Sequence, residues 1–275
     1  VRGQYELIKK DTLEFAARFG FVTREIFNDH LANVGRSQAY AYWMRLIEEG
    51  FLISYKGVNA TAYLSAKGRV AYVGQSMPTR AIYLIPHDQI VANALLTIKK
   101  TGLVQQYWTE HELKASVTEA CAVLGTGQIS KYPDLVLQMK SSSGSVKIAV
   151  EIERTQKTKS RMNQVAYNYL QAKGIEFLIF GCAHASIERS ILASFGSDLF
   201  AQAGKVPATY LLRDLDENGL EVSAQFMGYK MSLHKMLLAA VKLPDWKPDL
   251  RPDSNRIAVR RKSGFEKSKK GKIAC

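Results

Sequence analysis

KYPDLVLQMKSSSGSVKIAVEIERTQK, residues Lys131 to Lys157, is the stretch that decides the fold. Two strand-like runs, Pro133–Met139 and Val146–Arg154, flank a Ser/Gly turn and should pair as a hairpin. Asp134 then stands at the head of one strand and comes near the middle of the next. Side chains alternate along a strand, which puts Lys147, Ala149, Glu151 and Glu153 on one face and Ile148, Val150 and Ile152 on the other. Two acids on one face of an otherwise apolar strand repel each other and lose hydration. Such a pair is tolerated when a cation or an Arg/Lys partner supplies the missing charge. A hard divalent cation, Mg2+ or Mn2+, fits that requirement because it takes oxygen ligands and keeps several waters.

Working outward, the hairpin is preceded by a helix from about Pro86 to Lys100, a strand at Leu103–Trp108 and an unassigned segment reaching Gly127. It is followed by a helix from Lys159 to Lys173, the apolar strand IEFLIFG, another helix, and a strand near Ala208–Leu212. This order predicts an α/β fold, α+β overall, with a mixed sheet. The first part of the chain reads differently. LEFAARFGF from Thr12 forms a helix ending at Gly20, and Thr23 caps REIFNDHLAN by accepting a first-turn N–H. SQAYAYWMRLIEEG is a third helix, with Ala39, Tyr42, Trp43, Leu46 and Ile47 on its apolar face and Arg36, Ser37, Gln38, Tyr40 and Arg45 opposite. FLISY and ATAYL, joined by Lys56-Gly57-Val58-Asn59, read as a hairpin. Gly74, Ser76 and Pro78 mark a linker. The expected organisation is therefore 1–75, 80–245 and a basic tail, 246–275.

Charge points to the partner. The net charge is +13, and the residues from Lys247 onward carry ten Lys/Arg against three acids. A surplus of that sign suits a polyanion, with the tail holding phosphates without reading sequence. No apolar run has the length of a membrane span and VRGQYELIKK lacks the apolar centre of a signal peptide, so a cytoplasmic protein with no membrane partner is expected. Cys121, Cys182 and Cys275 lie far apart without a CxxC pair, which favours reduced thiols. The five histidines include no HExxH spacing, which disfavours a histidine-rich metal site of the HUH relaxase type.

The helix-helix-turn-helix-hairpin order, with EEGFLISYKG and AYLSAKGRVAY, resembles the winged helix-turn-helix family over about residues 11 to 73. That resemblance implies a third helix in the major groove and a hairpin tip on the backbone, with Arg36, Gln38, Tyr40, Arg45 and Lys56 at the DNA. Pro133-Asp134, a hairpin, and then Glu151-x-Glu153 resemble the PD-(D/E)xK nuclease superfamily, so the second half is expected to be restriction-endonuclease-like. By that resemblance Asp134, Glu151 and the Ile152 carbonyl would hold the metal, and Glu153, standing in the usual place of lysine, would orient a water. Lys157 is then the first candidate for the displaced cation, with Arg154 and Lys159 behind it.

Together the halves resemble the plasmid replication-relaxation family, which includes MobC-type mobilisation relaxases, through AVEIERTQKT, YWTEHEL and IPHDQIVANAL. The resemblance implies nicking at an origin of transfer on double-stranded DNA with local single-stranded character, alongside relaxosome proteins and a coupling protein. Glu110, His87 and Gln164 are accessory candidates. Of the tyrosines in NQVAYNYL, Tyr167 is expected to pack and Tyr169 to line the DNA groove, because water activation by a metal needs no tyrosine nucleophile. A second reading keeps the DNA-binding half and treats the nuclease domain as degenerate, giving a replication initiator or a transcriptional regulator.

Overall fold

The computed structural model describes residues 2–56, 58, 60–72, 79–126, 131–142, 144–196, 200, 202–205, 207–226 and 229–242. The basic tail, Gly57 and Asn59 of the hairpin turn, the linker residues Gly74, Ser76 and Pro78, and Cys275 lie outside these residues.

The first helix, α1, runs from Arg2 to Phe19 and so begins well before the Thr12 start read from sequence. Tyr5, Ile8, Thr12, Phe15 and Phe19 recur at three- and four-residue spacing and are all buried, so the apolar stripe continues through the polar-looking opening stretch. Gly20, at φ +75°, turns the chain out of the helix. A two-residue strand follows, β1 (Val22–Thr23), which the sequence reading missed. The Thr23 hydroxyl accepts from Ile26 N at 3.2 Å and caps α2 (Arg24–Ile26), which continues into a π-helical turn over Phe27–Leu31. Helix α3 (Arg36–Glu48) buries Ala39, Tyr42, Trp43 and Leu46, as its periodicity requires. Strands β2 (Leu52–Ser54) and β3 (Thr61–Leu64) pair with Leu52 opposite Leu64, and β1 adds to β3 in the order β1-β3-β2. Helix α4 (Ala66–Ala71) closes this half.

The second half begins with α5 (Ile85–Lys99) and β4 (Val104–Thr109). The segment left unassigned from sequence holds two short helices, α6 (Glu110–Ala115) and α7 (Val117–Leu124). Thr109 and Glu112 close a capping box on α6, and Ser116 caps α7. The hairpin forms as expected. In it β5 (Leu135–Ser141) pairs antiparallel with β6 (Gly144–Glu153), with Leu135 opposite Val150 and Ser141 opposite Gly144. Helix α8 (Lys159–Gln171) then leads to β7 (Phe177–Cys182), and α9 (Ala185–Phe195) to β8 (Pro207–Leu211). These helices are the crossovers that parallel strands demand, and β6, β7 and β8 run parallel. The chain continues with α10 (Leu212–Asn218), β9 (Ser223–Phe226), β10 (Tyr229–Ser232) and α11 (Leu233–Lys242), none of which was foreseen.

The result is a mixed α/β fold, α+β overall, around one seven-stranded sheet of order β10-β9-β8-β7-β6-β5-β4. Val136, Ala149, Leu178 and Phe180 bury one face of the sheet against Leu113, Val123, Met162, Val165, Ile187 and Ile191 from the flanking helices. Helix α5 packs on β6, and α11 on β5 and β6. Val1–Pro244 form one compact unit. Arg18 of α1 reaches Glu112 of α6 through Nε at 2.7 Å and Nη2 at 3.2 Å. Cys121 and Cys182 are free thiols. Among the described residues no helix is long and apolar enough to cross a membrane.

Candidate active site

The site forms where β6 outruns β5. Pairing of the hairpin starts at Leu135 and Val150, so the last residues of β6 lack a β5 partner and meet Asp134 instead. Ile152 N donates to Asp134 Oδ2 at 2.7 Å. Glu153 O accepts from Ala183 N on the β7 side, and residues along a strand alternate their backbone direction, so Ile152 turns its carbonyl toward the Asp134 edge. Asp134 is fixed from behind as well, since its own carbonyl accepts from Glu110 N at 3.0 Å.

Glu151 and Glu153 follow Ala149 on the face covered by α8, and both are buried, at 1% and 2% exposure. Neither is left as an isolated charge. Glu151 accepts from the Tyr169 hydroxyl through Oε1 and from Lys131 Nζ through Oε2. Lys157 donates to Glu153 Oε2, four residues back along the chain. The other Glu153 oxygen is different. It is buried, makes no hydrogen bond, and lies 3.9 Å from Lys131 Nζ. Burial pushes the Glu151 carboxyl up to about 7 against the pull of Lys131. Burial would also raise Asp134, but His87, Lys131 and the Ile152 N–H together hold it below the usual carboxylate range. Lys131 moves the other way. Burial alone would release its proton, yet Glu151, Asp134 and Glu153 hold it well above the ordinary lysine value.

His87, from the start of α5, places Nε2 3.4 Å from Asp134 Oδ1, and this contact raises its pKa. The histidine lines a small cleft with Arg80, Asp88, Glu110, His111 and Asp134. Arg80, just past the linker, pairs with Asp88 and places Nη1 3.0 Å from His111 Nδ1. Of the three acids Asp134 lines this cleft, together with Arg18 and Phe19 of α1.

Several sequence expectations come together here and others do not. Asp134, Glu151, Glu153, Ile152, Lys157, His87 and Tyr169 converge. Glu110 lines the cleft but is paired to Lys114 at 2.7 Å. Gln164 is exposed and bonds Asn168 at 3.2 Å, away from the cluster. Arg154 and Lys159 are exposed. The two tyrosines are the reverse of the expectation. Tyr169 packs at 5% exposure with its hydroxyl on Glu151, while Tyr167 is 57% exposed. The cause is helical phase, since Met162, Val165, Ala166 and Tyr169 form the buried stripe of α8 and Tyr167 falls off it. Lys131 was missed altogether. Its one signal was position, three residues before Asp134 across Pro133.

On α3, Arg36, Gln38, Tyr40 and Arg45 are all exposed, as is Lys56 at the hairpin. At 3.6 residues per turn, Arg36 and Tyr40 share one flank of the exposed arc and Gln38 and Arg45 the other. The second flank is engaged internally. Gln38 Nε2 donates to Tyr42 at 2.7 Å, and Arg45 pairs with Glu49 at 2.6 Å and lies 3.9 Å from the Tyr5 ring centre.

The chemistry of the oxygens present suits a hard divalent cation: the Asp134 and Glu151 carboxylates and an orphaned Glu153 oxygen lie at the end of β6. Among the described residues no three His, Cys, Asp or Glu side chains already stand in a metal-holding group. No protein-family model and no curated protein matches the chain. Among solved structures it is similar to restriction endonuclease FokI bound to DNA, with a TM-score of 0.27 and 14% identity, covering 80% of this chain and 44% of that one. The chain thus spans less than half the length of that protein.

Proposed function

We propose that this chain is a metal-dependent DNA endonuclease in which the winged helix holds duplex DNA and the Asp134–Glu151–Glu153 cluster cuts a strand. One observation carries the reading. Glu153 is buried beside Glu151 on a strand that ends next to Asp134, and one of its oxygens has no donor. Burying an acceptor without a partner costs about 1–3 kcal/mol, which a purely structural strand has no reason to bear. When bound, a divalent cation would activate a water and neutralise charge on the phosphate. Asp134 and Glu151 would hold it, the Ile152 N–H keeps Asp134 oriented, and Glu153 would direct the attacking water. Tyr169, buried against Glu151, is a fixed support and not a nucleophile.

The finer role, a plasmid mobilisation relaxase nicking at an origin of transfer, rests on the resemblance of AVEIERTQKT and the winged-helix order. DNA binding without catalysis is the second reading. It draws support from Glu151, whose two oxygens are both taken by Lys131 and Tyr169. The test is nicking of supercoiled plasmid with and without Mg2+. Asp134→Ala and Glu151→Ala should each abolish Mg2+-dependent nicking while duplex affinity stays within about threefold, because the DNA-holding surface is elsewhere. Full activity of Asp134→Ala would remove the nuclease assignment. Loss of nicking in Tyr167→Phe, with protein trapped on a DNA end in the parent, would replace water attack with a covalent route.

A further inference from the structure

Asp134, Glu151 and Glu153 bring three carboxylates to one buried edge, and the fold must neutralise them before any metal arrives. Three side chains share that task. Tyr169 gives Glu151 a neutral donor, and Lys157 engages one oxygen of Glu153 from the exposed end of the strand. Lys131 alone among them addresses all three acids. Its ammonium bonds Glu151, lies 3.9 Å from the free Glu153 oxygen, and lends its charge to Asp134. It does the electrostatic work that a divalent cation would do there.

We infer that Lys131 is the resident counter-ion of the metal-free site, and that a divalent cation enters by displacing its ammonium from Glu151. This rests on the reading of Asp134 and Glu151 as metal ligands. Each Glu151 oxygen accepts one donor and keeps a second lone pair, but a divalent cation placed there meets the like charge of the Lys131 ammonium, so one of the two partners has to give way. Tyr169 is 5% exposed and packs edge-on to Phe180 at 6.3 Å between ring centres, so moving it means moving α8 against the sheet. Lys131 is the looser partner. Its side chain is 20% exposed, and a four-carbon stem lets the ammonium swing to water without moving backbone. The exchange would replace a single charge by a double one near the Glu153 oxygen that has no donor.

The test is direct titration of Mn2+ into the full chain by calorimetry, comparing the parent with Lys131→Met, Lys131→Gln and Lys157→Met. Removing the competing charge should tighten Mn2+ binding about tenfold or more in both Lys131 variants, while Lys157→Met gains less than about threefold. Lys131→Gln keeps a donor toward Glu151 and carries the same expectation where Lys131→Met does not fold. Unchanged or weaker Mn2+ binding in the Lys131 variants overturns the exchange, as does an equal gain in Lys157→Met or no Mn2+ binding in any variant. The nuclease reading is scored separately by plasmid nicking. Tightened Mn2+ binding without nicking in any variant removes that reading and leaves the exchange standing. Nicking by the parent with Mn2+ affinity unmoved by Lys131 removes the exchange alone.

Discussion

Arg18 and Glu112 tie α1 to α6, and cutting that tie should destabilise the whole of residues 1–244. The guanidinium gives Nε and Nη2 to the two Glu112 oxygens at 2.7 and 3.2 Å, donates also to the Tyr107 carbonyl, and lies 3.4 Å from the centre of the Tyr107 ring. Both charged side chains are 16% exposed. Removing one partner of a buried pair costs roughly 3–5 kcal/mol where the other is left without help. Glu112 is not so stranded, because Thr109 N and Oγ1 still donate to it at 2.8 and 3.0 Å. The pair therefore belongs near the low end, and stacking on Tyr107 adds about 0.5–2 kcal/mol. Arg18→Ala should cost about 3 kcal/mol in urea unfolding, and Glu112→Ala a similar amount because it also loses the α6 capping box, itself worth about 1 kcal/mol. The double variant should fall short of the sum by about 2 kcal/mol, the signature of coupled side chains. A single transition is expected throughout. A cost below about 0.5 kcal/mol for Arg18→Ala, or additive single effects, would refute the reasoning, since either means that the junction does not bear on stability.

On α3, the helix proposed to read DNA, Arg36→Glu should weaken duplex binding by about tenfold or more and blur sequence preference, because a base-edge contact is worth ~1–3 kcal/mol. Arg45→Glu should move affinity less and stability more, because its guanidinium is held by Glu49 and Tyr5; equal binding losses in a mobility-shift titration would contradict this. Lys205 is buried and donates to the Ala172 and Ile175 carbonyls, and burial lowers its pKa from the ordinary 10.5 to about 8. The unfolded chain then holds more protons than the native one between these values, so the lysine contributes stability that is lost as pH falls from about 10.5 through 8. Denaturant midpoints at pH 8 and 9.5 should rise for the parent and stay flat for Lys205→Met by comparison; parallel behaviour would show that the amine is not responsible.

Much of this architecture was legible because local patterns and tertiary demands agree. The hairpin could be read from two alternating runs around a Ser/Gly turn, and its register then set Glu151 and Glu153 on one face without further information. The α3 stripe and the Thr23 cap were legible for the same reason. The start of α1 was not, because Tyr5, Ile8 and Thr12 are spread among charged residues and the stripe reads as helical only once its burial is known. The small elements from Leu212 to Ser232 carry too few residues each to show a period, whereas Leu233, Met236, Leu237, Ala240 and Val241 do recur at helical spacing, so helix α11 was legible and was overlooked. The tyrosine inversion is a different kind of miss. The phase of α8 was present in the sequence, since Met162, Val165 and Ala166 put Tyr169 inward and Tyr167 outward.

The cation could not be found by phase or spacing at all. A search for the displaced lysine runs naturally downstream of Glu153, where Lys157 stands four residues on, and the structure does pair those two. Lys131 reaches Glu151 from the other side, from the segment that leads into β5, and only its side-chain contact reveals that placement, because the hairpin register sets Asp134, not Lys131, level with Glu151. Two lysines thus divide the cluster: Lys157 meets the strand end at Glu153, while Lys131 sits over the oxygen that a metal would need. On the proposed exchange, metal-dependent chemistry at this site would begin with Glu151 giving up the Lys131 ammonium for a divalent cation.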